Sequence, residues 1–303
     1  MTPYYSAPDT TMYVGDVLDA LAALPDESVQ CVVTSPPYWG LRDYLVEGQI
    51  GLEATPEGFV ARLVEVFRDV RRVLRADGVM FLNLGDSYAG SASGIKPKDL
   101  VGIPWRVAFA LQADGWWLRS DIIWAKPNPM PESVSDRPTK AHEYLFLLTK
   151  RANYYYDADA IREPLMGSSV ARLAQNVEGQ AGSDRAHGGS KTNGTMKAVG
   201  GARSSDKQDG QQVSGANKRS VWEIATQPFS GWHFATFPEA LVEPCVLAGS
   251  RPGDVVLDPF GGSGTVSAVA RRLGRRSVYI DLNPEYAALA VKRLEAVPLA
   301  MRL

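Results

Sequence analysis

The chain has 303 residues, 45% of them hydrophobic, which is enough to bury one large core or a core with a smaller insertion. A formal net charge of −2 excludes a generic polyanion binder. No apolar run approaches the roughly 20 residues that span a bilayer. The opening Met1-Thr2-Pro3-Tyr4-Tyr5 lacks the basic and apolar regions of a signal peptide, so a cytoplasmic location is expected. Cys31 and Cys245 sit in apolar surroundings and read as buried thiols rather than a disulfide. The histidines are widely separated and no Cys/His cluster occurs, so no structural metal is expected.

In chain order, Met12-Tyr13-Val14 predicts a short strand closed by Gly15-Asp16, and Val17 to Leu24 a brief helix stopped by Pro25. Val29 to Val33 predicts a buried strand. It must stop at Ser35, because Pro36 and Pro37 cannot continue a ladder. The next residues, in "TSPPYWGLRDY", put a stiff aromatic lip at a strand's C-terminal end, where open α/β sheets bind ligands. A strand-ending turn with a packed Tyr38 is the plainer alternative. Thr55 and Pro56 form an N-cap and N1 pair, and Phe59, Leu63, Val66, Phe67, Val70, Val73 and Leu74 follow at helical spacing. Gly78 is expected to end that helix, with a strand over Val79 to Leu84. Gly85 to Gly102 reads as a loop and Trp105 to Leu111 as a helix. Strands at Asp121–Trp124 and Tyr144–Thr149 bracket the proline-rich "KPNPMPESVSDRP".

No aromatic residue occurs between Tyr156 and Trp222. Gly167 to Gly215 is Gly, Ser, Gln, Asn and charge, and is expected to be a mobile loop by itself. From Gly167 to Arg219 the basic residues outnumber the acids, with Arg185, Lys191, Lys197, Arg203, Lys207, Lys218 and Arg219 among them. A surface insertion and a nucleic-acid contact that orders on binding are both open readings.

Beyond it, Phe237 to Leu247 predicts a helix and Asp254 to Phe260 a strand. Gly261 to Gly264 is a glycine turn, followed by a helix with Val266, Val269, Ala270 and Leu273 on one face. Ser277 to Asp281 is the next strand. Asn283-Pro284 caps a last helix with Tyr286, Leu289, Ala290 and Leu294 inward. This is one nucleotide-binding half of a doubly wound fold. The turn in "VVLDPFGGSGT" lets the backbone approach a ligand, and Asp281, on the next strand end, is placed to take two ribose hydroxyls. "GSGTVS" nearly matches the dinucleotide fingerprint, which keeps a nicotinamide dehydrogenase as a competitor, although Ser267 stands in the third glycine's place and counts against it. Asp258 weighs against it: an anion there repels a pyrophosphate but suits the ammonium of S-adenosylmethionine.

Taken together, these segments resemble the DNA amino-methyltransferases. Asp258-Pro259-Phe260-Gly261-Gly262-Ser263-Gly264 looks like their cofactor motif and Ser35-Pro36-Pro37-Tyr38 like their catalytic motif. Here the catalytic half comes first, an order similar to that of the permuted β group. The resemblance implies a mostly parallel, doubly wound sheet of the class I S-adenosylmethionine-dependent methyltransferase type, with permuted motif order and an inserted flexible target-recognition region. It assigns residues 1–160 to the catalytic half, 161–225 to target recognition and 226–303 to the cofactor half of the same domain.

S-adenosylmethionine is the implied cofactor. Asp16, Thr34, Asp258, Phe260, Gly262, Gly264, Asp281 and Leu282 are expected to bind it, with His233, Phe234, Ala235 and Thr236 lining its methionine part. "IIWAKPNPMP" and "RPTKAHEYLFLLTK" are similar to segments shaping the target pocket, His142 and Glu143 being as readily structural as catalytic. The implied partner is double-stranded DNA. The family also admits a cognate restriction endonuclease and a second copy of the chain; no membrane is involved.

The chemistry suits the residues. An exocyclic amine conjugated to its ring is a poor nucleophile, and the Ser35 hydroxyl and Pro36 carbonyl can accept its hydrogens. Tyr38 can stack on a base flipped from the duplex, its ring face mattering more than its hydroxyl. Ser at position 35 usually accompanies N4-cytosine in this family and Asp or Asn accompanies N6-adenine, although either acceptor can serve either amine. A sequence-specific N4-cytosine methyltransferase is the leading expectation. An N6-adenine enzyme and a catalytically idle DNA-binding module are the alternatives.

Overall fold

The computed structural model describes residues 1–41, 43, 46–90, 95–165, 215–226 and 238–298. Internal contacts divide the chain into two units, one of Met1–Asp157 with Ser220–Leu303 and one of Ala158–Arg219.

The larger unit holds a nine-stranded sheet in the order β1-β2-β9-β8-β3-β4-β6-β5-β7 among the described residues. The strands are β1 (Tyr5–Ala7), β2 (Thr10–Val14), β3 (Val29–Thr34), β4 (Leu74–Leu84), β5 (Trp117–Ala125), β6 (His142–Thr149), β7 (Val221–Glu223), β8 (Val255–Asp258) and β9 (Arg276–Asp281). The helices are α1 (Val17–Ala22), α2 (Pro56–Val73), α3 (Ile103–Ala113), α4 (Glu239–Gly249), α5 (Thr265–Arg272) and α6 (Pro284–Glu295). From β2 through β9, β8 and β3 to β4 every pairing is parallel, whereas β6 runs antiparallel to both β4 and β5. The sheet is thus doubly wound and mostly parallel, with an antiparallel hairpin on one side.

Burial explains the strand sequences. All six residues of β3 are buried, as befits a central strand covered on both faces. Helix α2 starts where Thr55 accepts the Gly58 N–H at 3.1 Å with Pro56 in its first turn, and it buries Phe59, Leu63, Val66, Phe67, Val70 and Val73 along one stripe. Each such side chain contributes on the order of 1.5–3 kcal/mol when fully buried.

Gly78 does not end α2. The helix stops at Val73, and Leu74 turns extended and pairs with Val29 at the start of β4. Gly78 sits instead at an irregularity in the β3–β4 register, where a Cβ would come within 2.6 Å of Leu74 Cγ and 3.0 Å of the Gln30 carbonyl. The glycine is there for close approach, not for a helix cap. Edge strands β1 and β7, each three residues long, carry too little periodicity to be read from sequence. Trp222, which bounds the aromatic-free stretch, is buried in β7. Helix α5 buries not one face but everything from Thr265 to Arg271, the guanidinium of Arg271 being neutralised by Asp9 at 2.7 Å. On α6, Tyr286 and Leu289 line a cleft, while Ala287, Ala290 and Leu294 supply the core.

Cys31 and Cys245 are buried and unoxidised, and burial pushes the Cys31 thiol well above its ordinary value. No helix among the described residues is long and apolar enough to cross a membrane. In the smaller unit, Glu163 and Ala216 exchange backbone hydrogen bonds of 2.9 and 2.8 Å, and Arg162 reaches the Gly215 carbonyl at 2.9 Å. The expectation of a mobile loop over Gly167 to Gly215 lies almost wholly outside the described residues.

Candidate active site

β8 and β3 are neighbours, yet β8 is followed across the sheet by β9 and β3 by β4, on opposite sides. Chain direction diverges at this seam, so the loops leaving the two strands part and open a crevice at their C-terminal ends. A cleft of about 550 Å³ occupies that place. Its size falls in the range of about 300–1,000 Å³ typical of small-molecule sites. One end is lined by Gly15, Asp16, Phe260, Gly262, Asp281 and Leu282, the other by Ser35, Pro36, Pro37 and Tyr38.

The first end is built around a glycine turn. Gly261 rests on the buried ring of Tyr279, so closely that a Cβ would stand 2.1 Å from a ring carbon. The Tyr279 hydroxyl donates to the Gly262 carbonyl at 2.8 Å. Gly262 has φ +48 and open space where a Cβ would point, so the backbone itself faces the cleft. Asp281 closes the arrangement: its carboxylate accepts the Gly262 and Asn283 N–H groups, each at 2.8 Å. Burial pushes its pKa up to about 6, against those two N–H groups, which hold it down. The Asp281 carbonyl accepts the Gly15 N–H at 3.0 Å, tying the ends of β9 and β2 together. Asp16 caps α1 by accepting the Leu18 N–H at 2.8 Å and lies 3.5 Å from the Arg62 guanidinium.

Three residues expected to touch a cofactor do not line the cleft. Thr34 and Asp258 lie beneath the turn, buried, with the Thr34 hydroxyl donating to Asp258 at 2.7 Å and the Phe260 N–H donating to the same oxygen at 3.1 Å. Burial pushes Asp258 up to about 7, against those two donors. The pair bridges the C-terminal ends of β3 and β8 and braces the seam. Gly264 begins α5 at φ +75, where a Cβ would meet Ala290 at 2.7 Å, so it serves the packing of α5 on α6. His233, Phe234, Ala235 and Thr236 lie outside the described residues.

The second end is a side-chain network. The Tyr38 ring packs on Gly85, where a Cβ would come within 2.5 Å of it. Its hydroxyl donates to Glu143 Oε2 at 2.6 Å and lies 3.3 Å from Asn83 Oδ1. The Lys126 ammonium pairs with the other oxygen of Glu143 and sits 4.4 Å from the Trp124 ring centre. Asn83, Lys126 and Glu143 all line the cleft; the sequence reading left Glu143 open between a structural and a catalytic role, placed Lys126 only within a pocket-shaping segment, and did not name Asn83. One signal was available: Asn83 interrupts the apolar run of β4, and a polar residue in a fully covered strand needs a partner. Lys126 follows Ala125 at the end of β5, which faces His142 across the hairpin, and only that register brings its ammonium to Glu143.

Of the basic residues expected to meet DNA, Arg185, Lys191, Lys197, Arg203 and Lys207 fall outside the described residues. Lys218 and Arg219 stand 3.5 and 3.0 Å from Glu163 in the smaller unit.

A glycine turn with a strand-end acid, facing a Ser-Pro-Pro-Tyr lip across a topological switch point, defines a nucleotide-type cofactor enzyme of the α/β class. Residues 29–292 match the sequence model of the N6/N4 DNA methylase family, and the chain belongs to that family. It is 46% identical to the type II methyltransferase M.Cfr9I of Citrobacter freundii, over 94% of this chain and 87% of that protein. It is equally 46% identical to the type II methyltransferase M.SmaI of Serratia marcescens, over 93% and 89%. Among solved structures, the PvuII DNA methyltransferase (cytosine-N4-specific) superposes with a TM-score of 0.68 over 96% of this chain and 88% of that one, at 21% identity, a likeness of fold. The Thermus thermophilus protein TTHA0409, solved in complex with S-adenosyl-L-methionine, superposes with a TM-score of 0.61 at 26% identity, over 96% and 98%.

Proposed function

We propose that this protein is a sequence-specific DNA methyltransferase that uses S-adenosylmethionine to methylate the exocyclic N4 amine of a flipped-out cytosine. The observation that carries the reading is the single cleft shared by the Asp281–Gly262 turn and the Ser35–Tyr38 lip. The residues suit the cofactor. Asp281 is oriented by backbone N–H groups to accept from a diol, and Phe260, Tyr286 and Leu289 supply apolar walls for a flat ring. When bound, S-adenosylmethionine supplies a methyl group on a sulfonium, whose carbon–sulfur electron pair stays on sulfur.

At the other end, Ser35 and the Pro36 carbonyl accept the hydrogens of the target amine and draw its lone pair out of conjugation. Tyr38 offers a ring for the base, whose extrusion from the duplex brings the amine to the seam. In-line positioning of amine and methyl supplies the rest of the rate. The residues expected at the DNA are Arg185, Lys191, Lys197, Arg203, Lys207, Lys218 and Arg219, through phosphates.

Serine at position 35 supports cytosine. The test is to methylate plasmid DNA, digest it to nucleosides and weigh the products. N4-methylcytosine is expected. N6-methyladenine would transfer the site to the alternative amine, and an absence of any methylated base would end the enzyme reading.

A further inference from the structure

A ring that only stacks on a base has no need of a partnered hydroxyl, and Tyr38 has one on each side. The Ser35 hydroxyl donates to the Tyr38 oxygen at 3.4 Å, and the Tyr38 hydroxyl donates to Glu143 Oε2 at 2.6 Å. A phenol carries one proton, and the short contact to a carboxylate takes it in preference to Asn83 Oδ1 at 3.3 Å. Both protons therefore point the same way, from Ser35 in the cleft toward Glu143. That orientation leaves a lone pair of Ser35 Oγ for the target amine. The Glu143 side chain is only 14% exposed, so bulk water does not compete freely for this place. Asp258, a buried acid of the seam, is held by Thr34 and the Phe260 N–H and lies off this chain of hydroxyls.

We propose that Glu143 is the proton acceptor of the methyl-transfer reaction, reached through Ser35 and Tyr38. The inference rests on the methyl-transfer reading of the cleft. An exocyclic amine that has gained a methyl group carries a positive charge and must lose a proton. One N–H bond breaks and its electron pair stays on nitrogen. The proton passes to Ser35 Oγ, the Ser35 proton to the Tyr38 oxygen, and the Tyr38 proton to Glu143 Oε2. Each hydroxyl ends with one proton, Glu143 ends neutral, and loss of its proton to solvent resets the chain. Lys126 holds the other carboxylate oxygen and fixes the acceptor in place. Glu143 acts through Tyr38, and its role is to receive the proton rather than to touch the base.

Glu143→Gln keeps the size of the side chain and an acceptor oxygen for Tyr38 but cannot take a proton. Its single-turnover rate on duplex DNA should fall about a hundred-fold, with cofactor affinity, DNA affinity and melting temperature held. Tyr38→Phe cuts the chain one link earlier, keeps a ring face and leaves the Lys126–Glu143 pair intact. It should lose a comparable factor, and the double variant should lose no more than either single change. Glu143→Ala should regain rate with added formate and acetate, in the order of their basicity. A Glu143→Gln protein that transfers methyl at the parental rate overturns the proposal, as do losses that multiply in the double variant. Where either single variant is thermally destabilised, the carboxylate rescue decides, and its absence also counts against the relay. A parental protein that methylates no DNA removes the underlying reading and the relay together, whereas an active parent with an equally active Glu143→Gln removes the relay alone.

Discussion

The glycine turn and acid of the cofactor end come from one stretch of chain, Asp258 to Asn283, joined by Gly15 and Asp16 from the end of β2 and by Tyr286 and Leu289 from α6, whereas the base end is assembled from β3, β4, β5 and β6. The first is held by backbone. The glycine turn is propped by Tyr279, pinned by Asp281 and braced below by Thr34 and Asp258. The second is held by side chains, Ser35 to Tyr38 to Glu143 to Lys126. A binding site made of backbone leaves few positions to vary without breaking the turn. A site made of side chains on separate strands can change its target while the sheet stays as it is. This division suits an enzyme that holds one cofactor but must be fitted to a particular base.

The sharpest break of the first end is Gly261→Ala, whose methyl group cannot share space with the buried Tyr279 ring. Overpacking of this kind costs about 1–3 kcal/mol in stability and shifts the backbone. Cofactor binding should fall by more than about a hundred-fold, read by calorimetry with S-adenosylhomocysteine. A normal affinity would mean that the turn can move off the ring. At the second end, Tyr38→Ala removes the stacking face as well as the hydroxyl, the face contributing about 1–3 kcal/mol, so turnover should fall roughly one to two decades below that of Tyr38→Phe while cofactor binding persists. A lowered melting temperature with a parallel loss of cofactor affinity would instead make Tyr38 a packing residue and erase the contrast between the ends.

Asp281→Asn sharpens the comparison. It keeps the shape but removes a charge-assisted acceptor, with an expected loss of about ten- to a hundred-fold in cofactor affinity. In the parent, affinity should also decline as pH falls through about 6, because a protonated Asp281 accepts more weakly. The Asn variant should lose that dependence. Folding stability carries the opposite sign. With Asp258 raised to about 7 and Asp281 to about 6, the folded protein binds more protons than the unfolded chain from about pH 4 upward. These two acids therefore lower stability as pH rises through that window and add nothing further above about pH 8. A melting temperature measured without cofactor from about pH 5 to about pH 8 tests this contribution by difference, Asp258→Asn against the parent. The smallest expected effect lies outside the cleft. Lys218→Ala with Arg219→Ala should weaken DNA binding modestly. The logarithmic salt dependence should flatten by up to about 0.9 for each phosphate no longer neutralised. An unchanged slope would mean that these cations, which pair with Glu163, do not meet phosphate.

The elements most legible in the sequence were the local ones. The α2 cap at Thr55-Pro56 and the strand ended by Pro36 arise within a few residues, and the glycine turn with its acid within one strand–helix–strand unit, from φ restriction, missing donors and side-chain period. Gly78 misled because a glycine after an apolar helix looks like a cap, and nothing nearby in sequence announces that its true neighbour is the Gln30 carbonyl. Asp258 and Thr34 show a subtler limit. Their positions beside the turn were legible, but not that both point beneath it, which depends on β3 and β8 lying side by side.

By itself, then, the sequence determined where the chain could turn, which faces it had to bury and which motifs stood at strand ends, because these follow from bonds and periods along the backbone. It could not determine which motifs share a cleft. Ser35 and Asp281 lie at opposite ends of the chain, and they meet because parallel pairing places β3 beside β8 and β8 beside β9. Glu143 stood open between a structural and a catalytic role until the β4–β6 and β5–β6 registers brought Asn83, Lys126 and Tyr38 around it. Such registers are set by the burial of whole strands and by pairing over long separations, so only the tertiary structure decided that the base end holds a chain of hydroxyls ending on a carboxylate.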